Sequence, residues 1–195
     1  MFEGNAYLVK ERVAMLKLTD TYDVFDAASG AALATAREEP PAWAKYLRLV
    51  MEKKLLPTIV NIYDAQSNSV LMSIHKPVRI FRSKVTVRDA EGGGLGYFKS
   101  KILSLGGGFW IHDMKDQKVG EVKGDWKGWN FKLLGPTGGE IGAITKKWGG
   151  IGKELFTSAD NYIVALRDGA ASNPKLKMLM LAAGLAIDIV YKEGA

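Results

Sequence analysis

Cysteine is absent from this chain of 195 residues, and histidine is nearly so: His75 and His112 are the only two. The first absence excludes a disulfide framework, thiolate zinc sites, thiol nucleophiles and acylated cysteines. The second leaves too few imidazoles for a multi-histidine metal centre, while carboxylate sites stay open. Long hydrophobic runs are missing as well. The most apolar stretch, Met178 to Ile187, is ten residues long and ends at Asp188. A membrane-spanning helix needs about 20 apolar residues, so this one reads as a buried core helix. The opening residues, MFEGNAYLVKERV, lack a basic segment followed by an apolar core, so no signal peptide is expected. Neither a His-Glu-x-x-His nor a Gly-x-Ser-x-Gly motif occurs, and an enzymatic reading has no motif behind it. Both histidines fall in predicted strands without an orienting partner in the sequence, and are expected to be packed or surface side chains.

What the chain does have is basic charge, unevenly placed. Lysine and arginine number 27 against 21 acidic residues, a net charge of +6. Residues 75–101 contain Lys76, Arg79, Arg82, Lys84, Arg88, Lys99 and Lys101 against Asp89 and Glu91, whereas residues 1–74 are close to neutral. Nearly the whole excess lies in one window. It is either a solvated strand pair whose long basic side chains blunt a sheet edge or a surface for an anionic partner. Composition is otherwise that of an ordinary globular domain, 47% hydrophobic and 25% charged, large enough to bury a core without staples. Residues 1–195 read as one domain.

Internal repetition organises the chain. The segments YDVFDAASGAALATA, VNIYDAQSNSVLMSI, VTVRDAEGGGLGYFK, FWIHDMKDQKVGEVK and FKLLGPTGGEIGAIT each alternate, turn and alternate again. The turns open at Asp26, Asp64, Asp89, Asp113 and Gly135. Period-two alternation bounded by Asp, Gly, Ser and Asn is a hairpin signature, so five hairpins give ten strands. Tyr7 to Lys10 and Tyr162 to Leu166 add two more. The repeated aspartates sit where an aspartate bonds its own backbone, so they are expected to build turns rather than an acid cluster.

The widest gap between turns contains Pro40 to Pro57. Trp43, Leu47, Val50 and Met51 there fall at helical spacing, which predicts a short amphipathic helix over 40–57. Its apolar face would either plug one end of a barrel or lie on a membrane surface. The last element begins at Asn173-Pro174, a capping residue followed by a proline suited to the first helical turn, and runs to about Tyr191. It is apolar on every face and therefore needs protein or lipid all round. A long antiparallel meander must also cover its edges. A closed barrel threaded by this helix satisfies both requirements. Buried within it, Asp188 would need a basic or backbone donor. Of 22 glycines, 17 fall between Gly92 and Gly152, which suits curved strands; the triple-glycine runs at Gly92 and Gly106 do not form a phosphate loop. Trp126, Trp129 and Phe131 interleave with Lys127 and Lys132, a pattern of barrel-wall packing that also suits single-stranded nucleic acid or a membrane interface.

The C-terminal residues carry a resemblance. Trp148-Gly149, the run Glu154-Leu155-Phe156-Thr157-Ser158-Ala159-Asp160-Asn161-Tyr162, and a hydrophobic helix ending in Ile187-Asp188 with Tyr191 resemble the phospholipid scramblase family. The hairpins extend the likeness from about Tyr7 to Tyr191 and are shared with the wider tubby-like superfamily. The resemblance implies a mainly β, tubby-like fold, a closed antiparallel barrel of about twelve strands around a central helix, 174–191. It also implies binding of lipid or phosphoinositide, with a part in moving phospholipid between leaflets. Asp160 and Asn161 match the family's calcium-binding segment. Ser158 stands where the family usually has an aspartate, and Arg167-Asp168-Gly169-Ala170-Ala171-Ser172 replaces the acidic cluster that follows. Calcium takes six to eight oxygen ligands, so the resemblance leaves a weak calcium site and no other cofactor.

The functional expectation is a monomeric, cytoplasmic protein that binds anionic phospholipid peripherally through Lys76, Arg79, Arg82, Lys84 and Arg88. The competing expectation is a soluble nucleic-acid or protein-interaction module, which a basic barrel also suits.

Overall fold

The computed structural model describes residues 3–12, 18–78, 84–101, 108–125, 128–146 and 161–191. Among them are twelve strands: β1 (Ala6–Glu11), β2 (Thr21–Asp26), β3 (Ala32–Glu38), β4 (Thr58–Asp64), β5 (Val70–Lys76), β6 (Lys84–Asp89), β7 (Gly94–Ser100), β8 (Gly108–His112), β9 (Lys118–Asp125), β10 (Asn130–Leu134), β11 (Glu140–Thr145) and β12 (Asn161–Leu166). Each pairs antiparallel with its neighbours in sequence, and β1 pairs with β12, with Ala6 opposite Ala165 and Lys10 opposite Asn161. The sheet is thus a closed barrel, as the sequence predicts, and no edge is left to cover.

The repeat is reproduced in fine detail. Every hairpin carries a register shift next to its turn, at Val24/Phe25, Ile62/Tyr63, Val87/Arg88, Ile111/His112 and Leu133/Leu134. Every turn also has one residue at positive φ: Gly30, Asn68, Gly92, Asp116 and Gly138. This is the three-to-five-residue hairpin in which a turn is followed by a left-handed residue and a bulge. Asparagine and aspartate tolerate that conformation better than other side chains. The opening aspartates do bond their own backbone. Asp26 Oδ1 accepts the Ser29 N–H at 2.8 Å, Asp64 Oδ1 the Ser67 N–H at 2.7 Å, Asp89 Oδ1 the Gly93 N–H at 2.6 Å and Asp113 Oδ1 the Gln117 N–H at 2.9 Å. The hydrogen bonds from Ser29 hold the Asp26 carboxyl below its usual pKa, and those from Ser67 do the same for Asp64.

Inward-pointing residues of all twelve strands surround the final helix. A single-turn helix, α1 (Ala42–Leu47), lies between β3 and β4; α2 (Asp168–Ala171) follows β12 and leads into α3 (Pro174–Tyr191). Asn173 caps α3, its Oδ1 accepting the Leu176 N–H at 3.2 Å. Leu179 through Ala183 and Leu185 through Ile187 are buried in one cluster with Tyr22, Met72, Phe98, Phe109, Phe131 and Tyr162 from the wall. Small residues keep the helix slim enough for its sleeve. A Cβ added to Gly184 would lie 2.7 Å from Val164 Cγ2, and one added to Gly96 of β7 would lie 3.1 Å from Leu179 Cδ2 of the helix. Asp188, near the C-terminal end of the helix, accepts a 2.5 Å hydrogen bond from the Tyr22 hydroxyl. A phenol is thus among the donors that satisfy this buried carboxylate. The carboxylate and deep burial together raise the Tyr22 pKa well above its ordinary value, burial being the larger cause.

Consecutive antiparallel strands send their connections to alternate ends. The five tight turns and the β12–α2 connection lie at one end; longer connections, including residues 39–57, lie at the other. At the long-loop end the inward positions turn polar: Glu11, Glu38, Thr58 and Lys76 continue the inward sequence of their strands and are buried, as is Asp188. The insert is tied down to this layer. Arg48 donates to Glu38 at 2.8 Å with both side chains buried, to the Leu18 carbonyl at 2.7 Å and to Thr58 Oγ1 at 3.1 Å. Lys53 pairs with Glu38 at 2.9 Å and with Asp20. Burial opposes the Lys53 charge, yet the two carboxylates outweigh it and hold the ammonium pKa above its normal value.

The plug expectation for this insert is overturned. Of its described apolar residues Ala44 and Leu56 are buried, while Trp43, Tyr46, Leu49, Val50, Met51 and Leu55 are exposed. The physical reason is that Arg48 and Lys53 occupy the anchoring positions, so the apolar stripe is rotated outward.

A cavity at the helix should be costly. Replacing the fully buried Leu185 by alanine is expected to lower unfolding free energy by about 2–5 kcal/mol. The change should appear as a reduced urea midpoint with the far-ultraviolet circular dichroism spectrum retained.

Candidate anion-binding surface

The described part of the basic window runs from the end of β5 through β6 and β7, and its outward side chains join those of β8 and β9 on one outer wall. On β6, Val85 and Val87 face the core, which sends Lys84, Thr86 and Arg88 outward. Cross-strand register then aligns His75, Thr86, Tyr97, His112 and Lys118 in one row over five strands. The adjoining row runs Lys84, Lys99, Trp110 and Glu121. Lys84 and Lys99 are thus direct cross-strand partners of like charge, an arrangement that costs stability in the absence of an anion.

Neighbouring carboxylates neutralise only part of this wall. Glu121 takes Lys101 and, at 2.8 Å, Lys118. Desolvation raises the Glu121 pKa, but the two lysines outweigh it and hold the carboxyl below its usual range. Lys84 Nζ lies 4.0 Å from the centroid of the Tyr97 ring and 3.8 Å from Asp116, whose carboxylate also accepts the Tyr97 hydroxyl. Further round the barrel, Lys132 and Arg167 share Glu140 at 3.1 and 2.7 Å. Arg88, Lys99 and Lys123 are exposed and have no ion pair among the described residues.

Aromatic side chains form a platform between these charges. His112 stacks on Tyr97 with ring centroids 5.0 Å apart and planes 5° from parallel. Lys101 Nζ lies 5.4 Å from the centroid of Trp110. His75 is bonded to Ser73 Oγ at 2.9 Å. Burial, then Lys99, Lys84 and Lys118, depress the His112 pKa, with Asp113 opposing; burial and then Arg88 depress that of His75.

The five residues expected to bind an anion do not all meet here. Lys84 and Arg88 lie on the outer wall. Lys76 does not: it is 5% exposed and continues the inward sequence of Met72 and Ile74 at the barrel mouth. Arg79 and Arg82 lie outside the described residues. Lys99 and Lys123 complete the wall. Lys99 was counted in the basic window without being singled out, and strand parity opposite Lys84 was the signal for it. Nothing local in the sequence marked Lys123. Of the aromatic run, Phe131 is in the core and Trp129 packs on Tyr162 with centroids 5.1 Å apart and under Lys146, so neither offers a free stacking face; Trp126 and Lys127 lie outside the described residues.

For calcium, Asp160 lies outside the described residues, and Asn161 is the buried first residue of β12. Among the described residues no group of three or more His, Asp or Glu side chains is gathered to hold a metal ion. Nor is any described helix long and apolar enough to cross a membrane.

With this geometry in view, comparison with known proteins is decisive at the level of family. Residues 17–194 match the family model described as Scramblase. The chain belongs to the scramblase family. No curated protein and no solved structure matches it. Family membership suggests a lipid-associated function for the chain.

The histidines make stability pH-dependent. Their folded pKa values lie below the unfolded value, so the unfolded chain takes up protons first as pH falls through about 6.5. Stability is therefore expected to decline from pH 7 toward pH 5.5 and to be regained on raising the pH. In urea titrations across that window, His112→Gln should flatten the decline.

Proposed function

We propose that this scramblase-family chain is a peripheral binding protein for anionic phospholipid, including phosphoinositide, and that the outer wall of β6–β9 supplies the charge. The observation that carries the reading is the Lys84–Lys99 cross-strand pair of like charge, on a wall that also carries Arg88 and Lys123, neither of which has an ion pair among the described residues. A phosphate placed over that pair relieves the repulsion and lowers the cost of protonating His112. Arg79 and Arg82 add to the same basic stretch in sequence, and Asp160 with Asn161 supplies at most a weak calcium site. Each lysine or arginine near an anionic leaflet contributes about 1 kcal/mol, decaying over a Debye length. The resulting association is reversible, salt-sensitive and favoured by mild acid.

Co-sedimentation with vesicles tests this directly. Binding to phosphatidylcholine vesicles containing phosphatidylserine or phosphatidylinositol bisphosphate should be strong at low salt and weaken steeply as salt is added. The double substitution Lys84→Ala, Lys99→Ala removes roughly 2 kcal/mol, about a 30-fold loss of affinity. Binding to a single-stranded oligonucleotide that exceeds vesicle binding at every salt concentration would favour the interaction-module reading instead.

Translocation of lipid is a separate matter. Releasing α3 into a bilayer would empty the barrel of Leu179, Met180, Leu181, Leu185 and Ile187, each worth roughly 1.5–3 kcal/mol on burial. The folded monomer is expected to bind vesicles without carrying labelled lipid between leaflets. A dithionite-quenching assay showing calcium-stimulated flipping would overturn that expectation.

A further inference from the structure

Eight large apolar side chains are exposed among the described residues, and they are not scattered. Trp43, Tyr46, Leu49, Val50, Met51 and Leu55 belong to the insert between β3 and β4, and Val78 follows β5. All seven lie at the long-loop end; Met114, in the β8–β9 turn, is the exception. Val50 is 81% exposed and Tyr46 70%. The segment is also rigidly held. The buried Arg48–Glu38 pair and the Lys53 contacts to Glu38 and Asp20 fix the insert to the barrel mouth. One buried and one half-buried cation thus hold an apolar surface to the outside.

Charge identifies what that surface meets. Within Pro40 to Pro57 the bases are Lys45, Arg48, Lys53 and Lys54; Arg48 and Lys53 are taken up by Glu38 and Asp20, which leaves Lys45 and Lys54 against Glu52. Lys84 and Lys99 lie on the outer wall of β6 and β7, where Lys84 Nζ is 3.8 Å from Asp116 of the β8–β9 turn, so this pair belongs to the wall and not to the insert. The opposite end is acidic: the turns carry Asp26, Asp64, Asp89, Glu91, Asp113 and Asp116 against Lys115. An anionic bilayer repels the acidic end, so the insert end, without such an excess of acid, is the one it can meet. Tryptophan and tyrosine beside aliphatic side chains suit the headgroup boundary, and Glu52 limits how deep the insert sits.

We propose that the rim formed by Trp43, Tyr46, Leu49, Val50, Met51 and Leu55 seats in the headgroup layer of an anionic bilayer, turning the acidic hairpin turns away from the membrane. The proposal rests on the lipid-binding reading and adds to it a contact that salt does not screen and a fixed orientation.

The cysteine-free sequence makes the test direct. Val50→Cys and Gln66→Cys, on opposite rims, are each labelled with an environment-sensitive fluorophore and mixed with phosphatidylcholine vesicles containing phosphatidylserine or phosphatidylinositol bisphosphate. The label at position 50 is expected to shift to the blue and brighten, and that at position 66 to stay as in buffer. In the unlabelled protein, Leu49→Asp with Val50→Asp should reduce vesicle binding at least tenfold and leave the thermal unfolding midpoint unchanged, both positions being exposed. Salt-sensitive sedimentation with vesicles while the label at position 50 remains in water would overturn the rim contact and leave lipid binding standing. Absence of sedimentation with any anionic vesicle overturns both. A label at position 50 that responds to protein concentration instead of vesicles would assign the rim to self-association and overturn the proposal.

Discussion

A helix without a polar face governs this molecule. From Leu179 to Ile187, α3 presents apolar or small side chains in every direction, so it must be enclosed on all sides. A sheet covers one side of such a helix and a sandwich two; only a barrel wrapped around it covers the whole circumference. Twelve strands with five near-identical hairpins supply that sleeve, and the paired β1 and β12 close it. The bulge and left-handed residue beside each turn are the local means of curving the sheet. The glycines at the helix and on the wall allow the two surfaces to touch.

Enclosure leaves the two ends of the barrel different. At one end the chain turns tightly five times, and the turn aspartates concentrate negative charge there as a by-product of bonding their own backbones. At the other end the inward positions become polar and the connections lengthen. Arg48, Lys53, Glu38 and Asp20 form an ionic base on which the insert stands with its apolar residues outward. A buried pair of this kind contributes little net stability compared with apolar packing. Its role here is positional, since it determines which face of a short helix the solvent meets.

The barrel was legible in the sequence because its signals are periodic and repeated. Alternation sets strand faces, Asp-rich turns set hairpins, and the all-round apolarity of α3 leaves one arrangement that buries it. The surface was less legible. Period two correctly sends Lys84 and Arg88 to one face, but a basic window counted by sequence also includes Lys76, whose parity points into the barrel. Lys123 entered the wall through the register of β9, which is a long-range property. The orientation of the insert depended on Arg48 finding Glu38 and Thr58, residues that meet it only after β3 and β4 are paired. Helical spacing identified an apolar stripe at Trp43, Val50 and Met51 without revealing whether that stripe would face the core or the solvent.

Closure between β1 and β12 has a kinetic consequence. Ala6 meets Ala165, a contact across most of the chain, so the seam is among the last that loop closure allows to form. As the chain emerges, β1 has β2 on one side and an open edge on the other until β12 is made. The helix that fills the sleeve comes later still. A sheet that sealed first would leave α3 to thread an occupied or collapsed tube. The order of the elements avoids this, because α3 begins only eight residues after β12 ends and can dock while the seam is still open. The order of the elements thus lets the walls close around a filling already in place.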